Sequence, residues 1–511
     1  MSKTTSKSFI VLSIVTIIEK VLSFVYQSMI AGVIGANSTS DAYFTAAEFF
    51  VLIDSTLLNA LVIVLLNMYT KRCTNFGESV AEEFLANSFK IVFPITIFIS
   101  TCVFFLSTPL SYIIGPGYNT EGRTILDLNI KYMALVPIFL SITSVCLVIL
   151  RYEKSFFVVG LKSLFLSISG MFFVLVAHFT SFSKTNTLCF GYVLAHFLYM
   201  MTVCIVTRRH KVIRFGIPKW DNDGNKLLKM LIPLIISNGI SKVSMMIDKI
   251  VCSTVGEGAV SCLTYSHTLY FFIEALFITN LSTILLSDFN ELSAAAFKNK
   301  LAKKLSKTIS TMILLLIPIT IITVIYRYDI VRIVFMRGNF QESNVNRVGN
   351  LIMIYAIGFV PSVISNIYMN VHYAEGKTSL TMKFSLLSIG TNIFISILLS
   401  KYVGLIGIAF GTIISIVISA GLYSVSVRKY IPEYHGFLTK IKFIKIAFAT
   451  LVCILITFWI HFIIHNAFLS FILGSITGMC SFTLVLLILK YEEASQICDI
   501  ILNKLKSTVT K

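Results

Sequence analysis

Short polar breaks cut this chain into fourteen apolar runs, each close to the roughly 20 residues that a helix needs to cross the hydrocarbon core of a bilayer. The runs lie near residues 9 to 33, 42 to 69, 88 to 114, 128 to 150, 157 to 180, 187 to 207, 228 to 253, 260 to 287, 308 to 328, 348 to 373, 380 to 402, 404 to 427, 443 to 466 and 468 to 490. Lipid offers no hydrogen bonds to a backbone, and a helix satisfies its own amides and carbonyls. The pattern therefore predicts an all-α polytopic membrane protein with fourteen transmembrane helices.

Composition excludes the main alternative. With 56% hydrophobic and 13% charged residues, the chain has about half the charge of a soluble protein, in which charged residues supply about 25%. Lys and Arg outnumber Asp and Glu by 42 to 24, but basic residues of a membrane protein gather in loops facing anionic lipid. The excess reads as topology, and no nucleic-acid partner is expected. The run from Phe9 to Gly35 is too long for a cleaved signal peptide and lacks an A-x-A-like site, so it should stay as an anchor. Cys102, Cys146, Cys204, Cys252 and Cys453 lie inside apolar runs with no CxxC pair, which indicates neither a disulfide framework nor a zinc site.

Loop charges supply an independent check on the helix count. With the N-terminus placed in the cytoplasm, most of the 42 Lys and Arg fall inside, and both termini come out cytoplasmic. The largest cluster, Arg208 to Lys229, lies between the sixth and seventh runs. Others span Lys298 to Lys307 and Arg428 to Lys445. One loop resists: Arg327, Arg332, Arg337 and Arg347 surround a connection placed outside, and Asp329 to Phe340 is read there as an interfacial segment.

The chain also repeats. A displacement of about 221 residues sets Lys20 near Lys242, Gly35 on Gly256, Gly117 on Gly338 and Tyr152 on Tyr373, with Pro137 near Pro361. Six spans separate the copies, so both insert in the same orientation, as parallel repeats do. The expected organisation is an N-lobe of helices 1 to 6 over 1–210, a basic cytoplasmic connector over 211–226, and a C-lobe of helices 7 to 12 over 227–430. Helices 13 and 14 and a cytoplasmic tail, 431–511, lie outside the repeat. Pro137, Pro233, Pro318 and Pro361 fall mid-span, where proline permits a bend.

Charges inside hydrocarbon are costly and should face a cavity or a partner. The first two helices of each lobe carry them: Glu19, Lys20, Glu48 and Asp54 in one, Lys242, Asp248, Lys249, Glu274 and Asp288 in the other. Under the repeat Lys20 corresponds to Lys242, and Asp54 falls beside Glu274. One reading has the lysines attracting an anionic head group in a shared cavity while the carboxylates balance charge or join ion coupling. The other pairs Lys20 with Asp54 and Lys242 with Glu274 as structural salt bridges. Glu48, Asp288 and Lys249, nearer span ends, are expected to snorkel. His461 and His465, one turn apart, read as interfacial residues for want of a third ligand. No P-loop, nucleophile elbow or HExxH helix is present, so no catalytic residue, metal or cofactor is assigned.

The segment Lys20-Val-Leu-Ser-Phe-Val-Tyr-Gln-Ser-Met-Ile-Ala-Gly-Val-Ile-Gly-Ala-Asn, followed by Asp41-Ala-Tyr-Phe, resembles the opening of the MviN/MurJ-type lipid II flippases. Ser261 to Leu286 looks like that family's helix 8, and Phe335-Met-Arg-Gly-Asn-Phe looks like its F-x-x-G-x-F turn. The resemblance covers nearly the whole chain. It implies a member of the multidrug/oligosaccharidyl-lipid/polysaccharide exporter superfamily that flips a lipid-linked saccharide diphosphate by alternating access, with arginines lining its cavity. Lys20 stands where the first arginine would be, and Asp41 matches the family's aspartate. Tyr26 replaces the second arginine, Gln27 the acid beside it, Asp54 a cavity arginine of helix 2, and Thr268 the arginine of helix 8.

Because a diphosphate needs cationic partners in a low-dielectric cavity, these departures shift the expected substrate-binding set to Lys20, Lys242 and Arg337, with Asp41, Asp54 and Glu274. The leading expectation is a flippase of an undecaprenyl-diphosphate-type saccharide for peptidoglycan or surface polysaccharide, placed in the cell membrane, with membrane lipids and glycan-assembly enzymes as partners. A cation-coupled exporter of small organic cations would instead use Asp54 and Glu274. A non-transporting scaffold would be insensitive to cavity changes.

Overall fold

The computed structural model describes residues 3–180, 183–218, 222–294, 297–437 and 439–496. Within its helices the side chains of 3–17, 222–223, 228, 236–238, 240–241, 276–284, 286–288, 290 and 294 lie outside the description, Asp288 among them. Every regular element among the described residues is helical. The chain falls into two compact units, Met1–Tyr265 with Arg337–Asn344, and Ser266–Met336 with Val345–Lys511.

The first unit opens with α1 (Lys3–Val33). Then α2 (Ser38–Ile53), a π-helical turn at Asp54–Leu58 and α3 (Asn59–Phe76) run on as one apolar rod. After α4 (Glu78–Phe105) and the short α5 (Ser107–Ile114), α6 (Thr120–Met133) and α7 (Val136–Tyr152) share a span. Then come α8 (Phe156–Phe179), α9 (Lys184–Thr207) and α10 (Asn222–Ser253). The next helix, α11 (Ala259–Ala294), begins in this unit.

Local chemistry sets the breaks. Asn37 caps α2 by accepting from the amides of Thr39 and Ser40, while Ser40 Oγ accepts from the Asn37 amide. This reciprocal box satisfies donors that a helix start leaves orphaned. Pro137 stands at the start of α7, where a missing N–H costs nothing. Inside the unit α1 packs on α8, α7 and α8 on α9, and α2 on α6. Cys146, Leu150, Tyr199 and Val203 form one sealed part of the core.

The second unit continues α11 and adds α12 (Lys298–Ile325), α13 (Arg327–Phe335), α14 (Glu342–Ile357), α15 (Phe359–Ala374), α16 (Thr378–Val403), α17 (Leu405–Tyr430), α18 (Lys440–Ile463) and α19 (Ala467–Ile488). A 43° bend separates α14 from α15, with Pro361 in the first turn after it. The segment read as interfacial is the nine-residue α13 and the turn after it. Its arginines are engaged locally: Arg332 with Asp329 at 3.4 Å, and Arg327 stacked 4.3 Å from the Tyr328 ring centre. His461, expected at the interface, also reaches Asp329, at 3.3 Å.

The pair outside the repeat, α18 and α19, docks on α12. On α19 the residues Ser470, Gly474 and Gly478 recur every four positions and are turned inward. Small residues at that spacing let helices approach closely in lipid. Tyr326 fills the space, donating its hydroxyl to Thr457 O and accepting from Ser470 Oγ, both at 3.4 Å.

Among the described residues ten helices are long and apolar enough to cross a membrane, and eleven if α14 and α15 make one span. The three remaining expected spans fall on α1, α10 and α11, of 31, 32 and 36 residues, which include side chains outside the description. Fourteen spans are compatible with this.

Candidate functional site

The buried charges of the first unit gather along α2 and its π-helical turn. Asp41, 1% exposed, lies in the first turn of α2. Its two oxygens accept from the amides of Gly258 and Ser261, each at 2.7 Å, and from Ser261 Oγ at 2.5 Å. It thereby caps the start of α11 from another helix. A carboxylate is favoured there by the orphaned amides and the positive end of the helix dipole. Glu257 returns the favour, its Oε1 accepting from the Ser38 amide at the start of α2, at 3.0 Å.

The same end of the unit is tied by two loops. Asn339 donates from its backbone to Gly32 O at 2.8 Å and from its side chain to Val33 O at 2.5 Å. Gly338 has φ +53° and would place a Cβ 2.3 Å from Gly32 O, so the turn needs glycine. Gly117 donates to Ser253 Oγ at the end of α10, at 3.3 Å. Tyr118, next in sequence, bonds Thr45 Oγ1 at 2.6 Å, and burial pushes its phenol pKa well up, with the Asp41 carboxylate adding to the shift.

About two turns deeper on α2 than Asp41, Glu48 pairs with Lys249 of α10 at 2.9 Å. Lys249 Nζ also donates to Phe44 O at 3.1 Å, and the lysine is 6% exposed. The expectation that both snorkel is corrected: each finds a buried partner across a helix interface, which removes any need to reach water.

Next comes Asp54, the first residue of the π-helical turn. Its carboxylate meets Lys162 of α8 at 2.5 Å. Ser55 and Thr56 hydroxyls donate back to Val51 O and Leu52 O at 2.7 and 2.6 Å, taking up carbonyls that the wider turn releases. Such π-bulges occur often at functional positions.

Within the first unit the structure thus replaces the alternative salt bridge of Lys20 with Asp54. Asp54 pairs with Lys162, not Lys20. Lys20 has its neighbour Glu19 at 3.7 Å, and Lys242 makes its described polar contact with Met245 Sδ at 3.7 Å. In the second unit Glu274 accepts from Ser362 Oγ at 2.5 Å and Tyr270 Oη at 3.3 Å. Among the described residues no cation lies within 4 Å of it. Arg337 is exposed beside Gly32, twelve residues and about 18 Å along α1 from Lys20, at 1.5 Å per residue.

Lys162 was not anticipated. A lysine seven residues into an apolar run is its only sequence signal, and it is the partner that neutralises Asp54. Tyr26, at the family's second arginine position, is buried, bonds Tyr43 Oη at 2.8 Å and packs against Gly170, where a Cβ would sit 2.4 Å from its ring. Among the described residues no group of three or more His, Cys, Asp or Glu is arranged to hold a metal ion.

The family model described as lipid II flippase MurJ matches residues 30–477. The chain is similar to the probable lipid II flippase MurJ of Rickettsia prowazekii (strain Madrid E), 26% identical over 436 residues covering 83% of this chain and 84% of that protein. It is likewise similar to the probable lipid II flippase MurJ of Buchnera aphidicola subsp. Acyrthosiphon pisum, 24% identical over 474 residues, 88% and 89% of the two. Among solved structures, a lipid II flippase MurJ in an inward closed conformation superposes with a TM-score of 0.81 at 20% identity, covering 93% of this chain and 98% of that one. An inward-facing multidrug resistance MATE family transporter of the MOP superfamily gives 0.69 at 13% identity, covering 84% and 98%. Both share the fold.

Proposed function

The chain belongs to the MurJ lipid II flippase family, and from that premise we propose that it moves an undecaprenyl-diphosphate-type saccharide, a peptidoglycan precursor, across the cell membrane by alternating access. The observation that carries this reading is the family match over residues 30–477, which runs through both copies of the repeat and into the terminal helix pair. In it the lobes are 1–210 and 227–430, and both termini lie in the cytoplasm with the basic connector, where glycan-assembly enzymes would dock. The chain acts as a transporter and not as a catalyst.

Lys20 and Lys242 serve as head-group cations. Both are half-buried, and neither is held by a buried carboxylate among the described residues, which leaves them available to an anion. Asp41 acts as a latch at the end of the bundle that loop charges place outside. Its bonds to α11 are backbone and hydroxyl contacts, which break and reform without leaving a covalent change. Arg337, exposed at that same end, meets the head group as it leaves. Glu274, held by hydroxyls alone among the described residues, balances charge or takes part in ion coupling. Asp54 is already neutralised by Lys162, which argues against its use as a binding carboxylate for organic cations.

The test is transbilayer movement of a fluorescent lipid-linked diphosphate saccharide in proteoliposomes. Wild-type protein should move it, and Lys20→Ala combined with Lys242→Ala should abolish movement. Transport unchanged in the double variant would remove the lysines from the mechanism; no transport by the wild type would overturn the function.

A further inference from the structure

Within the first unit, the π-helical turn, α3, α7, α8 and α9 enclose a cavity of about 140 Å³, separate from Lys20 and Lys242. Its polar wall includes Asp54, Asn59, Thr143, Arg151, Lys162 and Tyr199, with Ser144, whose hydroxyl donates to Leu140 O. Two cations and one carboxylate leave the wall with an excess positive charge. Asp54 is committed to Lys162 at 2.5 Å, and among the described residues no carboxylate lies within 4 Å of the Arg151 guanidinium. A half-buried cation without a carboxylate partner beside a cavity is free to bind a group of opposite charge there.

A second observation is independent of charge. Thr143, a residue of the cavity lining, is 2% exposed, and its buried hydroxyl has no hydrogen-bond partner among the described residues. Buried hydroxyls are nearly always bonded, so an orphan beside a cavity marks a place that a partner can complete once the threonine turns toward it.

We propose that this cavity is an oxyanion site that takes one phosphate-type group. The wall offers a guanidinium fork, an ammonium, an amide and the Thr143 hydroxyl, a donor set suited to a tetrahedral oxyanion, whereas the Tyr199 hydroxyl donates to Val159 O. Asp54 holds Lys162 in place until the anion arrives. Asp54 and Lys162 side chains remain 29% and 33% exposed, so the cavity can be entered. Arg151 lies in the last turn of α7, at the end of the bundle that loop charges place in the cytoplasm. The phosphate can be free or carried by a lipid. That the lipid is the transported substrate rests on the flippase reading; the site itself does not.

The experiment is calorimetric titration of the full chain in phosphatidylcholine nanodiscs, with pyrophosphate as one probe and a short-chain polyprenyl diphosphate as the other. At least one should bind saturably. Arg151→Gln should weaken it by about tenfold or more, the loss of a charge-assisted bond, and Arg151→Lys should recover part of that. Tighter pyrophosphate binding identifies a free anion; binding of the polyprenyl probe alone identifies a lipid head group. Thr143→Val is isosteric, should melt like the wild type or higher without ligand, and should weaken binding several-fold, so it carries the test if Arg151→Gln fails to fold. Absence of binding by both probes, or equal binding by wild type and Thr143→Val, overturns the proposal. Transport by the same preparation without oxyanion binding removes this site and leaves the function standing; binding without transport does the reverse.

Discussion

Asp41 Oδ1 accepts from both the backbone amide and the hydroxyl of Ser261, at 2.7 and 2.5 Å, although 220 residues separate the two. With Glu257 bonded to the Ser38 amide, two helix starts, those of α2 and α11, are each capped by a carboxylate of the other segment. Each cap exists only while the two helix starts are together. A contact of this kind stabilises one arrangement without preventing its release.

Asp41→Ala should therefore destabilise the described arrangement by about 1–3 kcal/mol, the cost of leaving buried amides unpaired, read from thermal melting of the purified protein. Combined with Ser261→Ala, the effects should fall short of additivity by about 1 kcal/mol. Simple addition would mean that the two residues do not act as one cap.

The Glu48 and Lys249 pair makes the opposite kind of case, because both groups are charged and buried. Lys249→Met alone should cost about 3–5 kcal/mol by taking the buried ammonium away from Glu48. Adding Glu48→Gln should return much of that loss. If the single and double variants melt alike, the two side chains reach water separately.

For Asp54 and Lys162, which keep about a third of their exposure, the better readout is transport. Lys162→Met should slow translocation by about tenfold, equivalent to 1.4 kcal/mol in the barrier. Asp54→Asn in the same chain should restore part of the rate. A Lys162→Met variant that transports at the wild-type rate would show that the pair has no part in the cycle.

Gly474→Ala probes the docking of the terminal helices. The added Cβ would lie 1.9 Å from Tyr326 Oη, and overpacking of that kind costs about 1–3 kcal/mol. Tyr326→Phe should relieve part of it. Gly390→Ala, with no atom within 4 Å of its Cβ, should be neutral or stabilising by up to about 1 kcal/mol, the helix preference of Ala over Gly. Equal melting of both variants would place α19 elsewhere.

Much of the fold was legible because lipid imposes one rule on every segment. A run that must satisfy its backbone internally is a helix, and its length is set by bilayer thickness. Tyr152 and Tyr373, aligned in sequence by the displacement of about 221 residues, both precede helix ends closed by a left-handed residue, Lys154 at φ +59° and Gly376 at φ +69°. The site was legible only as a set of charges worth explaining. Asp54, Glu48 and Lys249 stood out, but Lys162 did not, and neither did the pairing of Glu48 with Lys249. Lys162 is 108 residues from Asp54, and which face of α8 turns toward α2 depends on how the helices rotate and pack.

By itself, then, the sequence determined a helical membrane protein and its family likeness, since each follows from local length, polarity and residue identity. The tertiary structure alone decided that Asp41 caps α11, that Lys249 is sealed against Glu48, that Asp54 belongs to Lys162 and that Arg151 faces a cavity with a spare positive charge. The physical reason is that apolar helices carry almost no information in their mean hydropathy about their rotation. A buried charge identifies its partner only once close packing has fixed which faces meet.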